Sequence, residues 1–425
     1  MNFKIENLGT GVEGGFIKTD KFKSTLLSFC FYIKNSEKTA SFALFSEIST
    51  NVCDEYPTIR ELKKKLDELY GATLQTRMDK IGDMIKVEFA ISVIADKFTL
   101  DKEEVGKQAA KLLISLLFEP SLENGSFKQV DIERDRKVMI DAIESEINDK
   151  RLYAARRALS LMCPNEPVSL PKYGTAEQMS KVSSTDLIDA WNYLLHNAFV
   201  RVNYVGSEYP SEIFSLISKK FNAIDRVAKK EFITDKHICS EKVNVQTENI
   251  EANQSKLFMG FTFDSTDTII DNYIASMFIG VFSAGTFSKC FKIVREKLSL
   301  CYYCAPSLLR QKGIFFVDCG IDRANYEKTK SAIIEQLDEI KKGNITDDEF
   351  DAEILAIKSS LNSITDSVES LNVWLKGNIF RDEKHNDISE HFDIISKINK
   401  QDIIDFAKTV KLDTVYLLSG TQEAE

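Results

Sequence analysis

The chain has 425 residues, enough for two domains with cores of their own, and its apolar and charged fractions of 43% and 28% are ordinary for a globular protein. A formal net charge of −10 argues against nucleic acid as the main partner, because phosphate binding needs a basic face. Dispersed cysteines, no secretion signal and no apolar run long enough to span a bilayer predict a cytoplasmic protein with reduced thiols.

Apolar periodicity predicts alternating strands and helices in the first half of the chain. In chain order we expect a strand at 25–34 and helices at 39–52 and 57–70. Two strands at 71–78 and 84–93 lead to a helix at 103–118. A long helix at about 127–162 ends at a proline-containing loop, and a helix at about 184–195 and a strand ending at Gly206 close this half.

The second half repeats the same order. We expect a strand at 256–263, helices at 267–282 and about 286–298, strands at 300–308 and 314–321, and a long helix from residue 324. A capping box, Thr346 to Glu349, starts another helix, and a helix at about 400–409 precedes a strand at 414–420. The shared helix–strand–strand–helix order predicts a duplicated α+β domain: 1–222, a linker at 223–253, and 254–425. Each domain should be a mostly antiparallel sheet with helices packed on one face.

Three segments resemble the pitrilysin/insulinase metallopeptidase family, which includes the mitochondrial processing peptidases. Residues 295–302 match its R-E-K-x-x-L-x-Y pattern, and residues 60–72 and 172–175 match shorter family segments. The resemblance covers nearly the whole chain. It implies the metallopeptidase fold shared with LuxS and the processing peptidases.

The resemblance places the family's H-x-x-E-H zinc motif at residues 44–48. Only Glu47 survives there, since Leu44 and Ile48 replace the two histidines, and the distant ligand position falls on Ala142. A catalytic zinc needs three protein ligands with lone pairs, which these three side chains lack. We therefore expect no metal, no cofactor and no catalytic residue, with Glu47 as a relic base or a carboxylate in a salt bridge.

Arg295 and Tyr302 match the family pair that contacts substrate. An arginine can fork onto a carbonyl or carboxylate and a tyrosine can donate to an oxygen, so a substrate-binding role is open. Local pairing of Arg295 with acids and packing of Tyr302 on the sheet is the alternative. Cys301 and Cys304 lie at an odd separation in a predicted strand, so their sulfurs should face opposite sides.

The four histidines, His196, His237, His385 and His391, share no zinc-binding spacing, and the last two are expected on the solvated surface. The resemblance then implies a peptide-binding, zinc-less subunit that completes the chamber of an active zinc-bearing homologue. Two alternatives stay open. One is a self-sufficient zinc endopeptidase with an atypical site, and the other is a peptide-binding scaffold that forms a homodimer.

Overall fold

A computed structural model of the chain describes residues 3–232, 234–264, 266–380 and 387–420. Packing divides it into two compact units. Unit 1 comprises the described parts of 1–144, 170–233 and 362–388, and unit 2 comprises those of 145–169, 234–361 and 389–425. These units are interleaved along the sequence rather than consecutive. The predicted domain limits 1–222, 223–253 and 254–425 stay a prediction.

The strands alternate with helices along the whole chain. The strands are β1 (Phe3–Gly9), β2 (Val12–Lys18), β3 (Ser24–Lys34), β4 (Thr73–Ile81), β5 (Met84–Ile94), β6 (Leu122–Glu123), β7 (Ser126–Phe127), β8 (Phe199–Gly206), β9 (Asn244–Ile250), β10 (Ser255–Thr262), β11 (Tyr303–Leu309), β12 (Ile314–Ile321) and β13 (Lys411–Gly420). The helices are α1 (Thr39–Ser49), α2 (Ile59–Glu68), α3 (Val105–Phe118), α4 (Gln129–Ser145), α5 (Lys150–Met162), α6 (Ala176–Lys181), α7 (Ser184–His196), α8 (Ser211–Asn222), α9 (Ile269–Phe282), α10 (Tyr326–Lys341), α11 (Asp347–Ser363), α12 (Val368–Gly377), α13 (Ile388–Ile395) and α14 (Lys400–Thr409), with a π-helix at Cys290–Lys297.

Unit 1 is built on a six-stranded sheet in the order β1-β2-β8-β3-β5-β4, in which only the pair β2–β8 is parallel. Alternate residues of β3, such as Phe29 and Phe31, enter a core shared with α1, α3, α7 and α8. Ser28, which precedes Phe29, faces the other side, where its hydroxyl donates to Asn372 of α12 at 3.0 Å. A single helix from the end of the chain therefore covers the second face of this sheet.

Unit 2 is built on a five-stranded sheet in the order β11-β12-β10-β13-β9, in which β9 runs parallel to β13. Leu257, Met259 and Phe261 of β10 face a core with α9, α10 and α14. Phe258 faces the opposite side and packs with Ala158 and other residues of α5. Each sheet thus carries most of its helices on one face and, on the other, one helix drawn from the opposite half of the sequence.

Most predicted elements are confirmed, and the differences have local causes. The helix predicted at 127–162 is two helices, because the Asp149 side chain accepts from the backbone N–H groups of Arg151 and Leu152 and starts a new helix, α5. The strand predicted from residue 300 begins at Tyr303. β1 and β2 were not predicted, since β2 contains the adjacent glycines Gly14 and Gly15, and glycine is depleted in strands. No helix in the described part of the chain has the length and apolar character to cross a membrane.

Candidate functional site

The positions that would hold the catalytic zinc lie on α1, in the core of unit 1. Leu44 and Ile48 expose 0% and 1% of their surfaces and pack among other apolar side chains, while Glu47 on the same helix is partly exposed. Neither aliphatic side chain has a lone pair for a metal. The structure therefore does not fit a zinc ion of the H-x-x-E-H type, and no chemical step can be routed through one.

Glu47 borders a carboxylate network formed with α4. Asn51 Nδ2 donates to Asp135 Oδ1 at 3.2 Å, and Arg134 pairs with Asp135 at 2.7 Å and with Asp131 at 2.6 Å. Burial, and then the negative charge of Asp135, raise the pKa of Glu47. Because Arg134 already pairs with both aspartates, this network is organised as an ion-pair cluster rather than as an open set of ligands.

The structure does not bring Ala142 to this network. Ala142 is exposed and lies seven residues beyond Asp135 on α4, a rise of about 10 Å along the helix. The α4 residue that approaches Glu47 is Asp135, which the sequence comparison missed. The spacing of Asp131, Asp135 and Met139, four residues apart, could have indicated in advance that all three lie on one buried side of α4. One aspartate does not restore a zinc site, since two of the three ligand positions remain aliphatic.

Arg295 and Tyr302 lie on one cavity of about 390 Å³ in unit 2, together with Leu300, Cys301 and Asp322. Arg295 projects from the π-helix, a form that often occurs at functional sites. The backbone N–H of Tyr302 donates to the Gly320 carbonyl at 2.9 Å, which ties the cavity wall to β12. The two residues predicted to act together are thus close enough to line one cavity.

The side chains of Arg295 and Tyr302 differ in the contacts that they already make. The Tyr302 hydroxyl donates to Asp322 Oδ1 at 2.9 Å, and this bond raises the pKa of Tyr302. The Arg295 guanidinium stacks over the Phe291 ring at 4.6 Å and lies 3.6 Å from Glu296, too far for a hydrogen bond. Among the residues that the structure describes, its N–H groups have no hydrogen-bond acceptor. Arg295 is therefore the group in this cavity that can still bind a carbonyl or carboxylate.

The prediction that the Cys301 and Cys304 sulfurs face apart is wrong. The two thiols shift each other's pKa values: Cys304 is the largest cause of the raised pKa of Cys301, while Cys290, Cys301 and Cys319 lower the pKa of Cys304, so these side chains lie near one another. Cys304 and Cys319 are direct partners across β11 and β12. The alternation argument fails because Cys301 precedes β11 and has no strand geometry. All four cysteines are free thiols beside the cavity wall.

The histidines are placed differently from the expectation. His196 is at the surface with Nδ1 near the Asp225 carbonyl oxygen at 2.5 Å, and His385 lies outside the described residues. His391 is fully buried on α13 and its Nδ1 lies 2.6 Å from the Tyr273 hydroxyl, so the prediction of a solvated His391 is wrong. The charged residues around His391 in the sequence predicted an exposed segment, but the side of α13 that carries His391 faces inward. The side chain of His237 is only 6% exposed.

Two sequence comparisons find similarity to proteins that are described as inactive peptidases. A family model described as "Peptidase M16 inactive domain" matches residues 181–357. The "Probable inactive metalloprotease YmfF" of Bacillus subtilis (strain 168) is 26% identical over 417 residues, which is 97% of each chain.

Three solved structures share the fold. A conserved protein from Enterococcus faecalis V583 superposes with a TM-score of 0.90 at 23% identity, over 100% of both chains. A peptidase M16 inactive domain from Pseudomonas fluorescens gives 0.80 at 14%, also over 100% of both. A chain of Complex III2 from Candida albicans, with Inz-5 bound, gives 0.71 at 13%, over 98% of this chain and 95% of that one. The predicted fold class is confirmed.

Proposed function

We propose that this chain, which is similar to inactive members of the M16 metallopeptidase family, binds peptide and completes the peptide chamber of a zinc-bearing partner. The observation that carries the proposal is the contrast between its two sites. The zinc-ligand positions Leu44 and Ile48 are closed into the core, whereas the cavity with Arg295 and Tyr302 remains open. Loss of the metal site with retention of the binding residues favours a binding role over catalysis.

The chemistry of the cavity supports a peptide ligand. A guanidinium can donate two N–H groups to one carbonyl or carboxylate, and the nearest carboxylate given for Arg295, that of Glu296, lies 3.6 Å away, beyond hydrogen-bond distance. Tyr302 is 54% exposed, so its ring offers a surface on which a peptide can pack. Asp322, already hydrogen-bonded to Tyr302, adds an acceptor for a peptide N–H. Donor, acceptor and apolar surface together suit a polypeptide backbone.

The first experiment measures peptide binding directly. A labelled unstructured peptide is titrated with the purified chain and with Arg295→Ala, and fluorescence anisotropy reports the Kd. Hydrogen bonds to a charged donor contribute roughly 1.5–3 kcal/mol, so the variant should bind about tenfold more weakly or worse. Arg323→Ala removes an exposed arginine that does not line the cavity and serves as the matched control.

Circular dichroism checks that both variants keep the native secondary structure. Unchanged peptide affinity in Arg295→Ala, with a folded protein, would remove the binding role from this cavity.

The second experiment tests the partner. The chain is mixed with a homologue that keeps an intact H-x-x-E-H motif, and cleavage of a quenched fluorescent peptide is followed. The proposal predicts that the mixture forms a complex on size exclusion and cleaves faster than the homologue alone. Arg295→Ala in the mixture should lower this gain, because the cavity then contributes less binding.

Two other results would replace this proposal. Chelator-sensitive cleavage by the chain alone would identify a self-sufficient endopeptidase. Peptide binding by a homodimer, with no response to the zinc-bearing homologue, would identify a scaffold.

A further inference from the structure

A second group of side chains in unit 2 has the composition of a metal site. Cys163 Sγ, Glu166 and His237 place one ligand atom each within 4.8 Å of one another, and no other group of three in the described residues does so. Cys163 Sγ lies 3.6 Å from His237 Nδ1, and the same nitrogen contacts Glu166 Oε1. The three donor atoms therefore lie close together.

Separate chain segments hold these donors in place. Cys163 ends α5, with its backbone N–H donating to the Leu159 carbonyl at 2.9 Å, and the N–H of Glu166 donates to the Cys163 carbonyl at 3.2 Å. This turn puts the side chains of residues 163 and 166 on one side. The backbone N–H of His237 donates to the Lys312 carbonyl at 2.8 Å and fixes the imidazole from another part of the unit.

The outer atoms of two donors are oriented by neighbours. His237 Nε2 lies 3.5 Å from Asp413 Oδ2, and Asp413 is fully buried and accepts from the Ser240 N–H at 2.7 Å and the Thr414 hydroxyl at 2.6 Å. Lys312 Nζ contacts Glu166 Oε2. A carboxylate behind a histidine and a second hydrogen bond on a ligating carboxylate are the usual outer contacts of a protein metal site.

We infer that Cys163, Glu166 and His237 bind a single Zn²⁺ ion through Sγ, Oε1 and Nδ1. Sulfur, imidazole nitrogen and carboxylate oxygen are the ligands that zinc takes in proteins, and a fourth position is left for water. The charges also balance. A Cys163 thiolate and the Glu166 and Asp413 carboxylates carry three negative charges, and Zn²⁺ with Lys312 carries three positive ones.

Binding releases protons in a defined way. The metal replaces the thiol proton of Cys163 and, if the imidazole is doubly protonated, the Nδ1 proton of His237. Cys163 is fully buried and the His237 side chain nearly so. The ion would connect the end of α5 to the segment that precedes β9. The site would be separate from the peptide cavity.

The test uses zinc and cobalt with the full-length chain. The protein is stripped with a chelator, and Zn²⁺ is titrated in competition with a chromophoric chelator. We expect one ion per chain, with affinity lowered at least tenfold in Cys163→Ser and in His237→Gln, and 10–100-fold in Asp413→Asn. Cys239→Ser and His196→Gln are the matched controls and should bind as the natural chain does.

Cobalt gives a readout that depends on the ligand identity. Co²⁺ at this site should show tetrahedral d–d absorption with a thiolate charge-transfer band, and Cys163→Ser should lose that band.

Equal zinc affinity in Cys163→Ser, or a cobalt spectrum of the unsubstituted protein without thiolate character, would each overturn the assignment. The group would then be an ion-pair network centred on a protonated His237.

Discussion

Glu353 gives the sharpest test of the packing in unit 2. It lies on α11 with its carboxyl against the bare backbone of α9 at Gly280, where an added Cβ would come within 1.8 Å of the carboxyl carbon. Burial raises the pKa of Glu353 from 4.5 to about 7, and no neighbouring cation contributes to that shift. Among the described residues, nothing pairs with this acid between the two helices, and its ionisation near neutral pH should destabilise the folded state.

The magnitude follows from the size of the shift. One pKa unit corresponds to about 1.4 kcal/mol, so a rise from 4.5 to about 7 gives about 3 kcal/mol as an upper value. Solvent reaches part of this carboxyl, which reduces the expected effect to about 1–3 kcal/mol. The folded state keeps a proton that the unfolded state has lost, so stability should fall as the pH rises from about 5 to about 8. Glu353→Gln removes the charge and keeps the shape.

Glu353→Gln should therefore be more stable than the natural chain at about pH 8 and equal to it at about pH 5. Hydrogen exchange followed by mass spectrometry on peptides from α9 and α11 is the appropriate assay, because both tryptophans, Trp191 and Trp374, belong to unit 1 and fluorescence would not report on unit 2. Asp351→Asn, an exposed position on the same helix, is the control. The same gain at both pH values, or no gain at the higher one, would refute the reasoning.

Two further predictions concern unit 1. Burial disfavours the Glu88 carboxylate, but Lys376 and Lys86 outweigh burial and lower its pKa, so the stability it contributes should be present above about pH 4.5 and lost as the pH falls below it. Glu88→Gln should cost about 3 kcal/mol in urea unfolding followed by tryptophan fluorescence, since Lys376 loses its carboxylate partner and the buried Lys86 is left with Asp79; a cost below about 0.5 kcal/mol would contradict this. The double variant Leu44→His, Ile48→His should destabilise unit 1 by several kcal/mol, because buried polar rings replace core side chains. It should create no zinc site at α1, because the change supplies no third ligand. Metal bound at α1 with native stability would contradict both expectations.

The order of the elements and the proximity of Arg295 to Tyr302 could be predicted from the sequence because both depend on local patterns. Alternation located β3, β5 and β12, and the motif around residues 295–302 placed Arg295 and Tyr302 on one cavity. The aliphatic residues at the zinc positions were also visible directly.

Other features depend on contacts between distant segments, which periodicity does not encode. Asp135 beside Glu47 and the group of Cys163 and His237 are of this kind. The cover of each sheet by α5 or α12 also requires knowing which distant helix packs where. Cys301 shows a different limit: the alternation rule was correct for strands, but the residue is not in one.

The inferred zinc site changes how a metal measurement on this chain is interpreted. Total zinc in the purified protein cannot by itself distinguish a catalytic ion from a structural one. Zinc that disappears in Cys163→Ser would be compatible with an inactive peptidase homologue, whereas zinc that survives that substitution would have to be sought elsewhere in the chain.

Helix α5 belongs to unit 2 and helix α12 to unit 1, although each lies in the other half of the sequence. This arrangement has a consequence for synthesis on the ribosome. The last N-terminal element of unit 1, α8, ends at Asn222, but α12, which covers the second face of its sheet, starts at Val368. At a typical elongation rate the delay is on the order of 10 s. During that interval the polar and charged face with Ser28, Glu88 and Lys86 stays uncovered in the nascent chain. A nascent chain arrested before α12 should therefore be more susceptible to protease in unit 1 than the completed protein.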